Sequence, residues 1–226
     1  MLSDIPRSAF SSRARSSNSG FTLIELLTVI AVIAVLAAIT FGISGGVQNA
    51  KFRTTAKAEL AVLSQAIEQF KLRNGDYPWS SSSISQTEDN AELLFEALVG
   101  WMEFSSLSGS VAFKSKASVP ASGPVTYIDI SKLTYIDLDE PDEFNPEIDL
   151  SSKPSGYAFV DPWGKPYVYF YEKKAATWEV FGYHLYSIGA DGLDRFSVID
   201  ERTGVKDPQF REAGSGENID NIYSGE

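Results

Sequence analysis

Two hydrophobic patterns divide the first third of the chain. From Phe21 to Phe41 apolar or small residues occupy every side of a would-be helix, and Glu25 is the one charge. A helix of about 21 residues rising about 1.5 Å per residue is about 31 Å long, enough to cross the hydrocarbon core of a bilayer. Gly42, Gly45 and Gly46 follow, and because each glycine costs a helix about 1 kcal/mol relative to alanine, a bend or break is expected there. The period then changes. Ala56, Leu60, Leu63, Ile67 and Phe70 recur at spacings of four and three, with Lys57, Glu59, Gln65, Glu68 and Lys71 mostly off that stripe, which is the signature of an amphipathic helix packed on a core. Asn74-Gly75 supplies a left-handed stop and Pro78 prevents resumption. The pattern predicts one long helix with a membrane half (21–44) and an amphipathic half (47–74), or two helices joined at Gly45-Gly46.

Beyond the helix the pattern weakens and then recovers. Asn90 is placed to cap a helix from Ala91 to about Trp101, with Leu93, Leu94, Ala97 and Leu98 on its apolar side. Residues 105–155 are rich in Ser and Pro, with β-like pieces such as Val125–Ile130, and read as a loop-dominated insertion whose acidic patch Asp137–Glu143 is a solvated surface. Tyr157–Val160, Tyr167–Tyr171 and Trp178–Ser187 are aromatic and β-branched and read as strands. Asp161-Pro162-Trp163-Gly164-Lys165-Pro166 separates the first two as a turn. Three short strands with tight connections predict an antiparallel meander over 157–188, against which the amphipathic half of the helix buries its stripe. The expected fold class is therefore α+β, closed by a loop over 189–226.

Charge and composition narrow the chemistry. The 226 residues carry a net charge of −11, and so acidic a chain repels nucleic acid. The absence of cysteine excludes disulfides and thiolate metal sites. Residues 1–19 are rich in Ser and Arg without hydrophobic period and read as a leader; a secretory signal cleaved within Ala34–Ala38 is disfavoured by the length of the apolar run and by Glu25. Three basic residues precede the run (Arg7, Arg13, Arg15) and three follow it (Lys51, Arg53, Lys57), so flanking charge does not set its orientation. No Cys nucleophile, phosphate loop or His-Glu-x-x-His occurs, and the single histidine, His184, lies in an aromatic strand. The expectation is a protein that is not an enzyme. Trp163, Tyr167, Tyr169, Tyr171 and Trp178 read as core packing more than as a sugar platform.

Two places carry candidate chemistry. Glu25 either closes a capping box with Thr22 or, inside a membrane-length run, requires a cation. Asp191, Asp194, Glu217, Asn218 and Asp220 offer hard oxygen ligands of the kind calcium takes. An Asp-Gly turn needs no metal in most proteins, and the basic residues Arg195, Arg202, Lys206 and Arg211 could fold onto the carboxylates instead.

Three stretches carry a family resemblance. Gly20-Phe21-Thr22-Leu23-Ile24-Glu25-Leu26 follows a short basic leader; Gly75-Asp76-Tyr77-Pro78 closes the long helix; and Asp161-Pro162-Trp163-Gly164-Lys165-Pro166-Tyr167 is followed by Tyr186-Ser187-Ile188-Gly189-Ala190-Asp191-Gly192. Together they resemble the type II secretion pseudopilins, most of all the major class, within the type IV pilin-like superfamily; a type IV pilin or a minor pseudopilin is the near alternative. From the residues alone, a membrane-anchored carbohydrate- or calcium-binding domain is the alternative of a different class. The resemblance implies that a prepilin peptidase removes residues 1–20 by cutting after Gly20 and methylates the amine of Phe21. It implies that Glu25 of one subunit neutralises that amine on its neighbour in a helical homopolymer. The implied partners are further copies of the chain, other pseudopilins, inner-membrane secretion components and the membrane, with no nucleic acid. The chain would be single-pass in the inner membrane with its head, residues 45–226, in the periplasm. The resemblance also implies calcium in the loop after the last strand, with Asp191 and Asp220 at acidic positions of the family; residues 195–215 look inserted there.

Overall fold

The structure is a computed structural model that describes residues 21–80, 83–107, 110–120, 123–172, 177–196, 199–206 and 220–225, without the side chains of 39–46, 106–107 and 110. The leader, with Gly20, and the candidate ligands Glu217 and Asn218 lie outside the described residues. The chain divides between Gly45 and Gly46 into two units. The backbone is nevertheless assigned as one helix, α1, over Leu23–Asn74.

In the first unit, the large apolar side chains from Phe21 to Leu36 are all more than half exposed, from 51% at Leu27 and Val29 to 86% at Phe21. Residues 39–44 of the expected membrane half have no described side chains. Among the described residues, no helix is long and apolar enough to cross a membrane.

The second unit is built on the amphipathic half of α1. Ala56, Leu60, Leu63, Ile67 and Phe70 are at most 1% exposed, so the stripe read from the sequence is the spine of the core. The helix stops as its last residues dictate: Gly75 takes φ +93°, its N–H reaches Lys71 O at 2.7 Å, and Asn74 Nδ2 donates to Phe70 O and to Tyr127 Oη. The following turn is tied down by aromatic side chains. Tyr171 and Trp79 both donate to the Asp76 carboxylate, and Tyr169 donates to Pro78 O at 2.7 Å.

The second helix, α2, spans Thr87–Leu98, starting four residues before the expected Ala91. Glu88 and Asp89 occupy its first turn, where the helix dipole favours acids. Asn90 is therefore not a cap; it is fully buried within the helix and donates to Ser83 O at 2.9 Å. Gly100 follows at φ +89°, and a Cβ there would lie 2.3 Å from Val125 O, so only glycine fits this close backbone approach.

The sheet is divided differently from the expected meander. β1 (Met102–Leu107) and β2 (Ser110–Ser115) form an antiparallel hairpin inside the stretch expected to be loop. Its Phe104 and Phe113 pack edge-on against Phe70. β3 (Tyr135–Asp137) pairs with β4 (Tyr157–Phe159), while Val125–Ile130 forms no strand. β5 (Val168–Phe170) pairs with β6 (His184–Ser187), and β6 pairs with β7 (Ile222–Tyr223). The meander fails because β4 turns its ladder toward β3, leaving only the isolated bridge Val160–Pro166 toward β5, where Pro166 has no N–H to extend the ladder. The expected third strand begins at His184, six residues after Trp178. The C-terminal loop in turn supplies β7. The fold class stands: α+β, a long N-terminal helix on small antiparallel sheets.

Candidate functional site

At the start of α1, Thr22 and Glu25 form a closed capping box. Glu25 Oε2 accepts the Thr22 backbone N–H at 2.8 Å and the Thr22 hydroxyl at 2.8 Å, while Thr22 Oγ1 accepts the Glu25 N–H at 3.3 Å. Two backbone N–H groups at the helix start are thereby satisfied within one chain. Both bonds to the carboxylate fall on Oε2, and Oε1 has no hydrogen-bond partner among the described residues. Phe21, at the other end of the expected pair, is exposed.

The loop after β6 brings Asp191 and Asp220 together. The Asp191 N–H donates to Asp220 Oδ2 at 3.0 Å, and Asp191 Oδ1 accepts the Leu193 N–H at 2.9 Å. Asp220 Oδ1 is buried and without a hydrogen-bond partner. Asp194 faces inward instead: Oδ2 accepts from Tyr186 Oη at 2.5 Å and Oδ1 from Asn221 Nδ2 at 3.1 Å. Burial raises the Asp194 carboxyl above its ordinary range, against those two hydrogen bonds. Among the described residues, no three His, Cys, Asp or Glu side chains are grouped to hold a metal. The orphaned buried oxygen of Asp220 beside Asp191 fits a hard cation, whereas both oxygens of Asp194 are already engaged.

Behind this loop stands a carboxylate that the sequence presents only as a turn residue. Asp161 is 1% exposed; its Oδ1 accepts the N–H groups of Trp163 and Lys165 at 3.0 and 2.9 Å, and its Oδ2 accepts the Ser187 hydroxyl at 2.6 Å. Burial raises its pKa despite this bonding. Two signals in the sequence point to it: Asp at the head of a Pro-x-Gly turn, which bonds its own backbone two residues on, and a lone Ser in the apolar strand Tyr183–Ile188. Neither reveals that the two meet.

The remaining candidates are structural. His184 is buried with Nε2 2.7 Å from Gly204 O; since a carbonyl only accepts, Nε2 carries the proton. Burial lowers its pKa to about 4. Tyr167, Tyr169 and Tyr171 are buried in the core, Trp163 packs edge-on against Phe52, and the carboxylates Asp139–Glu143 are exposed.

Comparison with known proteins matches the N-terminal segment by sequence. Residues 15–41 match the prokaryotic N-terminal methylation motif, the mark of a prepilin-type chain. Beyond the motif, the chain is 27% identical over 191 residues to the type II secretion system core protein G of Pseudomonas aeruginosa, covering 84% of this chain and 96% of that protein. The motif and the similarity along most of the chain support a pseudopilin, anchored at the inner membrane through its N-terminal region. No solved structure matches the chain.

Proposed function

We propose that this chain is a structural subunit of a type II secretion pseudopilus and not an enzyme. The observation that carries the proposal is the start of α1: an exposed apolar stretch, residues 21–36, whose one charge, Glu25, is bonded through Oε2 alone and lies within the methylation motif. Prepilin peptidase removes residues 1–20 after Gly20 and methylates the amine of Phe21. That amine is the cation Glu25 requires, supplied by the neighbouring subunit. The capping box aims the carboxylate, and the pair sets the axial stagger while the exposed apolar side chains pack helix against helix. Contacts of this head-to-tail kind do not close a ring and so build a filament. The head lies on the periplasmic side, where other pseudopilins and the inner-membrane secretion components are its partners. Glu25→Leu tests this: the variant stays in the membrane but assembles no filaments, and normal filaments from it would overturn the pairing.

The head binds calcium in the loop after β6. Asp191 and Asp220 would hold the ion, with Glu217 and Asn218 as further oxygen donors, while Asp194 stays bound to Tyr186 and Asn221. Bound calcium would neutralise carboxylates and bring the C-terminal segment onto β6, a structural role.

A further inference from the structure

The acidic loop is held by a relay of contacts that starts at Asp161, 30 residues before Asp191. The Asp161 turn is closed by its own backbone, Asp161 N–H to Lys165 O and Gly164 N–H to Asp161 O, both at 2.8 Å. With Oδ1 occupied by the two turn amides, Oδ2 is left for Ser187, which is fully buried at the end of β6. Because Oδ2 accepts the hydroxyl, the Ser187 proton points toward Asp161. The lone pairs of Oγ then point the other way, where they accept the Gly189 N–H at 3.1 Å. Gly189 stands at φ +77°, and a Cβ there would lie 2.6 Å from both the carbonyl oxygen and Oδ2 of Asp220. The Asp220 carboxylate therefore rests on the Gly189 backbone, and its Oδ2 receives the Asp191 N–H. On the other side, Ser187 pairs with Ile222 in the β6–β7 ladder.

We infer that Asp161 is a positioning residue for the cation loop, acting through the Ser187 hydroxyl and the Gly189 amide to hold Asp220 against Asp191. It does not touch the ion: its oxygens are buried and taken. It lies a step beyond the outer shell, whose partners when lost cost metal sites about 10–100-fold in affinity: Asp161 holds Ser187, and Ser187 holds the Gly189 amide on which Asp220 rests. The inference rests on the calcium part of the proposed function. An asparagine at 161 still accepts from the turn amides but presents an N–H2 donor to Ser187, turning the hydroxyl proton away and competing for the lone pairs that Gly189 uses.

The test is calorimetric titration of the full-length chain in detergent with calcium chloride, alongside Ser187→Ala, Ser187→Thr, Asp161→Asn and the double variant Asp161→Asn/Ser187→Ala. Ser187→Ala and Asp161→Asn should each weaken calcium binding about tenfold or more, Ser187→Thr should restore it by keeping the hydroxyl, and the double variant should be no weaker than either single one. A purely architectural role predicts lowered melting temperatures with unchanged calcium affinity, or losses that add in the double variant; either result overturns the inference. Unaltered affinity in Ser187→Ala, the mildest change, overturns it while leaving the calcium site in place. A parent chain that takes up no calcium removes both.

Discussion

Tyr167 on the segment entering β5 donates its hydroxyl to Glu59 on α1 at 2.5 Å, across 108 residues of chain. This bond docks the amphipathic helix to the sheet beside the Asp161 turn. Tyr167 is 1% exposed, and burial, with the Glu59 charge beside it, raises its pKa far above the ordinary tyrosine range, so it is a permanent donor. Tyr167→Phe leaves a half-buried carboxylate without its partner and should destabilise the head by about 1–3 kcal/mol, read from the midpoint of urea unfolding.

Glu59 itself gives a pH test. Burial raises its pKa above the ordinary range, opposed by the Tyr167 hydrogen bond and assisted by the nearby Asp161. A carboxyl raised in the folded state holds its proton more tightly there than when unfolded, so stability is lost as pH rises above the ordinary carboxylate range. Glu59→Gln keeps an acceptor for Tyr167 without that loss. The variant's stability relative to the parent should increase from pH 4 toward neutrality, as followed by denaturant titration.

His184 works with the opposite sign. Its folded pKa is about 4, below the ordinary 6.5, because burial disfavours the charged ring. The folded state binds fewer protons than the unfolded one between these values, so the contribution is intact above pH 6.5 and is lost as pH falls toward 4. The full effect is about 3 kcal/mol. His184→Gln should flatten the acid limb of the parent's stability curve in that window, and an unchanged acid limb would count against the buried neutral ring.

Gly100→Ala should be the most damaging of the small substitutions. The new Cβ meets the Val125 carbonyl oxygen at 2.3 Å in a backbone conformation at φ +89°. The expected loss exceeds about 1 kcal/mol, seen as a lowered unfolding midpoint, whereas Gly75→Ala, whose Cβ meets nothing within 4 Å, carries only the left-handed strain.

What could be read from the residues, and what could not, follows the range of the forces involved. The stripe from Ala56 to Phe70 and the Asn74-Gly75 stop are local and periodic, and both stand in the structure as the pattern predicts. β3 and β7 are three and two residues long, too short for any period, and the choice of β3 rather than β5 as the partner of β4 is made by packing across distant segments. The start of α2 lies in the polar run Thr87-Glu88-Asp89, which carries no apolar signal. At the candidate sites, Thr22 and Glu25 were three residues apart and legible as a capping box. Asp161 and Ser187, 26 residues apart, were visible only as a turn acid and a stray strand serine until the fold brought them together.

Maturation at the Gly20–Phe21 junction would give the charged Phe21 amine that Glu25 is proposed to meet. The direct test is the mass of the N-terminal peptide after coexpression with a prepilin peptidase. A mature chain beginning at N-methylated Phe21 is the predicted result; an intact leader, or cleavage near Ala38, would contradict it.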